Sequence, residues 1–282
     1  MKNIFLLFTL SILLGGCYKN IPNPSWIKID SFSVVANPNI SEGELTLNNF
    51  SNGWVYINDK FIGIFELPCK IPVNITGSAS IRVYPTILNN GISATKKNYP
   101  FTRAHEEVVT LVQNDTITIN PVTNYLDGTS FTVEDFQGGA TKFTPGTNTT
   151  TNLLIESDGN NNYGRVFLNS SANYWSAYMS KAGDNEPFTF PIGSQVFLEI
   201  ECKNDQPFIT TFIYGNTAGT IKEQNNIKIS NINKDWKKIY IELSELITAS
   251  GGSYFWFGFT FTLPEGQTNA TVLLDNIKVV YR

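Results

Sequence analysis

The sequence predicts an all-β protein built of β-sandwiches, and three observations support this fold class. Aromatic residues make up 13% of the 282 residues, and aromatic and β-branched side chains are favoured in strands. Short segments of alternating apolar and polar residues recur along the chain, separated by Gly, Asn and Pro turn residues. Helical blocks rich in Ala, Leu, Glu and Lys are missing, and the one helix-like segment, Ser244–Ser250, is long enough for about two turns.

The charge of the chain excludes some classes of partner. The formal net charge is −4, 16% of the residues are charged, and the basic residues form no cluster. Binding to nucleic acid or to an anionic lipid surface through charge needs a concentrated basic patch. The sequence therefore predicts no nucleic-acid partner.

The first 17 residues have the organisation of a secretory signal that ends in a cysteine. Lys2 supplies a positive charge, residues 4–14 are apolar but too few to span a bilayer, and the segment LGGC ends at Cys17. This last segment resembles the bacterial lipobox, which implies a lipoprotein signal peptide over residues 1–17 and a lipid on Cys17. The lipid is then the expected membrane contact, because several buried acyl chains give a stable anchor. An ordinary secretory signal with an unrelated cysteine is the alternative.

Residues 18–25, YKNIPNPS, contain two prolines and no apolar periodicity, which predicts a short tether. Lipoproteins sent to the cell surface in the Bacteroidota resemble one another in having acidic residues directly after the lipidated cysteine. This chain has Tyr18, Lys19 and Asn20 at those positions. The departure favours an outer membrane lipoprotein that faces the periplasm over one on the cell surface.

Residues 26–124 predict a small β-sandwich domain. Val55 and Ile57 alternate with outward residues, and Asn58-Asp59-Lys60 then predicts a hairpin turn into FIGIF. The stretch VYINDKFIGIFELPCKIPV resembles the immunoglobulin-like and PEGA-type β modules, in which a V-x-I-D-G-x-x-I-G strand leads into a strand with proline. ELPCKIPV is also similar to a segment of many Bacteroidota lipoproteins.

Residues 125–282 predict a second domain, because ten further short strand patterns separated by Gly, Asn and Pro are typical of a sandwich or jelly roll. Asp135 falls in phase with Phe131 and Val133 in the first of these strands, and Asp275 falls in phase with Ile277 in the last. Both carboxylates are therefore expected to point inward. An unpaired buried carboxylate is costly, so each has to be paired with a cation, protonated or held by several hydrogen bonds.

The two ends of this second domain resemble the galactose-binding-like jelly rolls and related carbohydrate-binding modules. Many of those modules begin with E-D-F-E-x-G and end with D-N-I, and this chain has EDFQG at 134–138 and DNI at 275–277. The resemblance implies a β-jelly-roll sandwich, carbohydrate binding and a structural calcium between the terminal strands, with Asp135, Gln137 and Asp275 as candidate ligands. Gln137 stands where the modules often have an acid, which lowers the charge of the site. Carboxylates that only hydrogen-bond to backbone amides are the alternative.

Exposed aromatic rings would supply a sugar-binding surface, because a planar ring stacks on the apolar face of a pyranose. In YFWFGFTFTL, four phenylalanines form one face of the predicted strand, and Tyr254 and Trp256 lie on the other. The candidate rings are Trp256, Tyr254, Tyr240, Tyr214, Trp175 and Tyr163. The alternative is that several of these rings cover the second face of a sheet or pack against the first domain.

No catalytic residue set is evident in the sequence. Glu199 and Glu201 lie two apart on one predicted strand and are expected to be solvated on its outer face. Their spacing does not match the paired carboxylates of laminarinase-type glycoside hydrolases. His105 is the only histidine and is expected in an exposed loop, so no Ser-His-Asp or Cys-His set is predicted. Cys69 and Cys202 predict two buried thiols, with a disulfide between the domains as the alternative.

Together these observations predict a small immunoglobulin-like β-sandwich followed by a β-jelly-roll sandwich on a lipid anchor. The predicted function is that of a non-enzymatic envelope protein whose jelly roll binds carbohydrate or another polymer. The alternative is a structural or assembly component of an envelope protein complex, in which the same rings contact protein.

Overall fold

The computed structural model describes residues 23–40 and 50–282, and this part of the chain is nearly all β with one short helix. It forms a small immunoglobulin-like sandwich followed by a jelly roll, which confirms the predicted fold class. The predicted signal peptide, Cys17 and the first part of the predicted tether lie outside the described residues. Within the described ranges, no helix is both long and apolar enough to cross a membrane.

The first sandwich contains ten strands within the described residues. They are β1 (Ser25–Ile29), β2 (Ser33–Val34), β3 (Asn52–Ile57), β4 (Lys60–Glu66), β5 (Cys69–Val73), β6 (Gly77–Leu88), β7 (Lys96–Asn98), β8 (His105–Leu111), β9 (Thr116–Ile119) and β10 (Val122–Thr123). β1 pairs antiparallel with β5 and parallel with β9. The opposing sheet has the order β4-β3-β6, and both β7 and β8 pair with the long β6. β2 and β10 form a short parallel pair.

The hairpin between β3 and β4 forms at the predicted turn. Asn58 and Asp59 have positive φ angles of 49° and 60°, which matches a two-residue type I′ turn that Asn and Asp tolerate. Val55 and Ile57 point inward and are at most 1% exposed. They join an aliphatic core between the two sheets that also contains Ile27 of β1.

The second sandwich contains eleven strands and one helix. The strands are β11 (Ser130–Glu134), β12 (Phe143–Pro145), β13 (Leu154–Ser157), β14 (Asn162–Asn169), β15 (Tyr174–Met179), β16 (Val196–Asn204), β17 (Phe208–Gly215), β18 (Ile221–Ile229), β19 (Ile232–Glu242), β20 (Tyr254–Thr262) and β21 (Asn269–Tyr281). Sheet I has the order β13-β14-β21-β16-β19, with β11 beside β14 on the same edge of β21. Sheet II has the order β12-β15-β20-β17-β18. The predicted helix is present as α1 (Ser244–Ser250) and is followed by Gly251 in the left-handed conformation.

The jelly-roll core lies between sheets I and II, and aromatic side chains of β20 dominate it. Phe255, Phe257, Phe259 and Phe261 are each at most 2% exposed. Burying a phenylalanine side chain stabilises the fold by about 1.5–3 kcal/mol. These four residues together therefore fix which face of β20 points inward, as the sequence pattern predicts.

The first sandwich covers part of the outer face of sheet I. The buried residues at this contact, called here the interdomain cluster, are Phe50, Ile87, Tyr99, Phe101, Tyr125, Phe197, Tyr240 and Val280. The ring centroid of Tyr99 lies 5.6 Å from that of Tyr240 and 6.2 Å from that of Phe197. Because the inner face of sheet I packs on sheet II, the outer face of sheet II lies on the opposite side of the jelly roll from the first sandwich.

The contact between the domains explains why the expected exposure of Glu199 is wrong. Glu199 is 0% exposed, whereas the sequence pattern suggested a solvated glutamate, because the outward face of β16 is buried by the other domain. His105 also differs from expectation, since it lies in β8 and its Nδ1 accepts a 3.2 Å hydrogen bond from the N–H of Val122.

Cys69 and Cys202 are free thiols. Cys202 is fully buried, and burial raises its pKa to about 12, whereas Cys69 is only partly buried.

Candidate functional site

A groove of about 270 Å³ lies on the outer face of sheet II. Its lining residues come from β15, β20, β17 and β18, and from the loops that follow β12 and β15. Since these four strands are neighbours in the sheet, the groove runs across the strands. Three interstrand spacings of about 4.8 Å give it a length of at least about 14 Å.

Small residues line part of the groove, among them Ser176, Ala177 and Thr211. Gly258 pairs with Thr211 on one side and with Tyr178 on the other. A Cβ atom at Gly258 would lie 2.3 Å from Thr211 Oγ1 and 3.0 Å from the carbonyl oxygen of Ala177. Any larger residue at position 258 would force its neighbours to shift, and two of these neighbours, Thr211 and Tyr178, line the groove.

Trp256 borders the groove on β20. It pairs with Ile213, and both side chains are on the outer face of sheet II. Trp256 Nε1 donates a 3.2 Å hydrogen bond to the carbonyl oxygen of Asn185, in the loop between β15 and β16. This hydrogen bond restrains the rotation of the indole ring beside the groove.

Polar side chains complete the lining. Tyr174 and Tyr178 border the groove on β15, Glu223 on β18 and Asn148 in the loop after β12. Among the described residues, no group pairs with the two tyrosine hydroxyls, the Asn148 amide or the Glu223 carboxylate. These donors and acceptors are therefore available to a bound molecule. Aromatic walls with unpaired polar groups suit a ligand that has both apolar faces and many hydroxyls.

Two of the six predicted rings lie on the outer face of sheet II. Trp256 lines the groove, and Tyr254 is 37% exposed at the start of the same strand. Both alternate with the buried phenylalanines of β20, as the sequence pattern indicated.

The other four candidate rings lie elsewhere, and Tyr240 packs against the first sandwich, as the alternative interpretation of these rings allowed. Tyr240 is 3% exposed in the interdomain cluster, and Trp175 is 2% exposed in the jelly-roll core. Tyr214 packs inward and stacks on Phe212 at a centroid distance of 5.4 Å. Tyr163 lies on the outer face of sheet I, where its ring contacts that of Trp236 at 5.7 Å.

Tyr174 and Tyr178 on β15 and Glu223 on β18 were not among the candidate residues predicted from the sequence. Along β15, Trp175, Ala177 and Met179 are buried, so Tyr174 and Tyr178 point outward. The alternation of residues in WSAYM, which ends β15, is the pattern from which the outward direction of Tyr178 could have been predicted. Glu223 gave no signal, because nothing in the local sequence shows that an exposed position of an edge strand borders a groove.

The three predicted calcium ligands lie close together where β11, β14 and β21 meet. Gln137 Nε2 donates hydrogen bonds to the carbonyl oxygen of Asp135 (2.9 Å), to Asn161 Oδ1 (3.0 Å) and to the carbonyl oxygen of Asn162 (3.1 Å). Asn161 Nδ2 in turn donates to Asp275 Oδ2 at 2.7 Å. Asn161, which was not a predicted ligand, thus links Gln137 to Asp275.

The predicted inward orientation of Asp135 is wrong. Its neighbour Glu134 is 2% exposed, and the Glu134 carboxylate accepts hydrogen bonds from the N–H groups of Phe136 (2.8 Å) and Lys142 (2.5 Å). The inward face of β11 was wrongly predicted because Phe131 was taken as a residue of the jelly-roll core. Phe131 packs instead against the interdomain cluster on the outer side of sheet I.

The oxygens at this junction are of the kind that calcium prefers. Three acceptors surround the Gln137 amide nitrogen, which carries only two protons. Burial raises the pKa of Asp275 to about 6, and the negative charges of Glu201 and Asp135 act in the same direction. In the described part of the chain, no three or more His, Cys, Asp or Glu side chains are grouped to hold a metal ion. A calcium ion would therefore rely on carbonyl and amide oxygens beside Asp275, and its binding stays a prediction.

Comparisons with known proteins give structural likenesses only. No protein-family model matches the chain, and no curated protein is significantly similar in sequence. The CBM22-2 xylan-binding domain of Paenibacillus barcinonensis Xyn10C is 14% identical with a TM-score of 0.40, over 53% of this chain and 98% of that domain. The family 11 carbohydrate-binding module of Clostridium thermocellum Lic26A-Cel5E is 15% identical with a TM-score of 0.35, over 53% of this chain and 94% of that one.

A longer protein is similar over a smaller share of its length. The CBM22-1-GH10 modules of Clostridium thermocellum xylanase 10B, complexed with xylohexaose, are 13% identical with a TM-score of 0.39. The match covers 52% of this chain and only 27% of that one. At these identities the likeness concerns the β-sandwich fold alone.

We expect calcium to raise the melting temperature of the protein relative to an EDTA-treated sample, because the ion would offset the negative charges of Asp275, Glu201 and Asp135. Differential scanning calorimetry measures the shift. Asp275→Asn should abolish it, and Asp235→Asn, at an exposed position of β19, should retain it. Equal melting temperatures of the wild type with and without calcium would contradict the prediction.

Proposed function

We propose that this chain is a lipid-anchored, non-enzymatic envelope protein whose jelly roll binds a carbohydrate chain in the groove of sheet II. One observation carries the proposal: Trp256 borders a groove whose hydroxyl, amide and carboxylate groups have no partner among the described residues. Core aromatic residues do not need such surroundings. A sugar-binding site does, because the ring and the polar groups recognise different parts of one sugar.

The physical basis is a division of contacts between stacking and hydrogen bonding. A pyranose presents an apolar C–H face, which the indole of Trp256 can cover, and a rim of hydroxyls, which Tyr174, Tyr178 and Asn148 can meet. Tyr254 extends the aromatic surface along the same face of β20. Aromatic contacts contribute about 0.5–1.5 kcal/mol each beyond area burial, so the affinity for a single sugar is weak and increases for an extended chain.

The charge of the groove supports a neutral ligand. Glu223 is the only acidic or basic side chain that borders the groove among the described residues. A carboxylate without a neighbouring cation repels uronic acids and sulfated sugars, and it leaves neutral glycans unaffected. We infer that neutral polysaccharides are preferred.

The position of the groove is compatible with an anchor at the N-terminus. The first sandwich packs on sheet I, so the groove lies on the far side of the jelly roll from the domain that would connect to the membrane. A lipid on Cys17 then leaves the groove accessible. We propose an outer membrane location facing the periplasm, on the basis of the residues that follow Cys17.

A second candidate function, a structural component of an envelope protein complex, is supported by an aromatic patch on the first sandwich. Trp54, Tyr56, Phe61 and Tyr84 contact one another in series at centroid distances of 5.4–5.9 Å, and Phe61 is 47% exposed. Their planes are tilted by 53–73°, so they form no flat platform for a sugar. An exposed apolar patch of this kind suits contact with protein.

Trp256→Ala should weaken glycan binding at least about tenfold, which corresponds to about 1.4 kcal/mol, because the stacking surface is lost. A glycan array identifies the ligand, and isothermal titration calorimetry with that ligand measures the affinity. Trp236→Ala is the matched control, since Trp236 is 39% exposed on sheet I, and it should change the affinity by less than about twofold. Failure of the wild type to bind any polysaccharide would remove the proposal and favour the second function.

Glu223→Gln should raise the affinity for polyuronates by about threefold or more at low salt and change the affinity for neutral glycans little, because it removes a repulsive charge. Affinity electrophoresis with both polymer types measures the ratio. Glu245→Gln, on the exposed side of α1, changes the net charge equally and should not alter that ratio. A wild type that binds polyuronates as tightly as neutral chains contradicts the inferred preference.

Cys17→Ser should move the protein from the membrane fraction to the soluble fraction of the producing cells, because the acyl chains supply the anchor. Cys69→Ser should leave it in the membrane fraction. Protease treatment of intact cells should spare the wild-type protein if it faces the periplasm. Digestion in intact cells would place it on the surface instead.

A further inference from the structure

A second depression, of about 380 Å³, lies on the outer face of sheet II and is called here the distal depression. Its lining residues come from β17, β18 and β20, and from the loops that precede β17 and follow β20. Thr260 and Thr262 line it and alternate with the buried Phe259 and Phe261 of β20, which places it on the same face as the groove. None of its lining residues borders the groove, so the two are separate sites.

The strand register places the distal depression next to the groove. Thr211 of β17 lines the groove and pairs with Gly258 of β20. The next outward pair of the same two strands is Ile209 with Thr260, and both of these residues line the distal depression. Two residues of a strand span about 7 Å. The two sites are therefore consecutive on one face, and a single extended molecule can occupy both.

The two sites carry opposite charges. Glu223 borders the groove and pairs with Ile213, which in turn pairs with Trp256. Lys228 borders the distal depression and pairs with Ile209. Ile213 and Ile209 are four residues apart in β17, which corresponds to about 14 Å. Because this separation exceeds the Debye length of about 8 Å at physiological ionic strength, each charge acts on its own part of a ligand.

The polar side chains of the distal depression suit an oxyanion. Among the described residues, no carboxylate pairs with the Lys228 ammonium, and no group pairs with the side chains of Gln206, Thr260 and Thr262. The ammonium, the amide N–H groups and the two hydroxyls are all hydrogen-bond donors. Hydrogen bonds between an ammonium and an ionised oxygen are about twice as strong as those between neutral groups. A carboxylate or a sulfate is therefore the group that these donors bind best.

The distal depression also has an apolar lining. Pro207, Ile209 and Pro264 contribute to it, and their side chains can contact the C–H groups of a sugar ring. A sugar unit with an acidic substituent has both an apolar and an anionic part. Exposed lysines on edge strands also prevent pairing with other chains, but that role requires no depression beside the lysine.

We propose that the carbohydrate ligand carries an acidic substituent, a carboxylate or a sulfate, which Lys228 binds in the distal depression while a neutral unit of the same molecule stacks on Trp256. This inference rests on the proposed carbohydrate-binding function and adds the class of ligand to it. The acidic substituent lies about 14 Å along the strands from the neutral unit. Glu223 disfavours an acid beside Trp256, so chains with an acid on every unit remain poor ligands, and chains with widely spaced acids are preferred.

Matched pairs of ligands test the proposal on the intact protein. A glycan array presents neutral chains together with the same chains bearing spaced uronic acid or sulfate substituents. The acid-bearing member should bind at least about threefold more tightly at low salt, and this preference should decrease at high salt because the contact is ionic. Carboxyl reduction and desulfation of the bound polymer then show which acid is recognised. Equal binding of both members in every pair that the protein binds would overturn the proposal.

Variants of β18 assign the preference to the distal depression. Lys228→Gln should reduce it to less than about 1.5-fold and change the affinity for the neutral chain by less than about twofold. Lys228→Glu should reverse the preference, because a carboxylate repels the acidic substituent. Lys222→Gln is the matched control, since it removes an equal charge from an exposed position of β18 that borders neither site. The proposal is wrong if the preference persists in Lys228→Gln or is lost equally in Lys222→Gln.

The outcomes distinguish this inference from the proposed function. Neutral chains that bind and are weakened by Trp256→Ala, without a preference for acid-bearing chains, would leave the proposed function in place and refute the acidic ligand. If Trp256→Ala does not weaken the acid-bearing chain, no single molecule spans both sites and the inference fails. Absence of binding to every polysaccharide would remove both proposals.

Discussion

The alternation of side chains along β20 is the constraint on which the candidate site depends. Four phenylalanines of this strand fill the jelly-roll core, and a slip of one residue would expose all of them at a cost of several kcal/mol. Because these residues must point inward, the side chain of Trp256 must point outward. One strand thus supplies both the centre of the core and the groove beside Trp256, so the geometry of the groove is as fixed as the core itself.

The two outer faces of the jelly roll differ in whether the first sandwich covers them. The face of sheet I is partly covered by the first sandwich, which converts Glu199, Tyr240 and Lys278 from surface positions into buried ones. Within residues 23–40 and 50–282, no second domain covers the outer face of sheet II, and polar groups of its groove have no partner there. The arrangement of two domains therefore decides which aromatic residues are structural and which are available to a ligand.

The ends of the jelly roll are joined by a polar junction. Gln137 and Asn161 connect the loop after β11 to Asp275 in β21, the last strand. Glu134, next to the predicted Asp135, is the acid that is buried and satisfied by backbone N–H groups. The sequence pattern predicted that Asp135 and not Glu134 points inward, because the apolar residue Phe131 is buried against the first sandwich and not in the jelly-roll core.

The sequence by itself determined the features that depend on local periodicity and turn chemistry: the all-β class, the turn at Asn58 and Asp59, the short α1 and the outward direction of Trp256 and Tyr254. Only the tertiary structure decided which outward faces meet solvent. Tyr240 and Glu199 are buried by residues that lie 100 or more positions away in the chain, and Glu223 borders a groove to which four neighbouring strands contribute. Strand alternation specifies two faces, but burial of a face depends on what packs against it, and that contact is not encoded in any short segment.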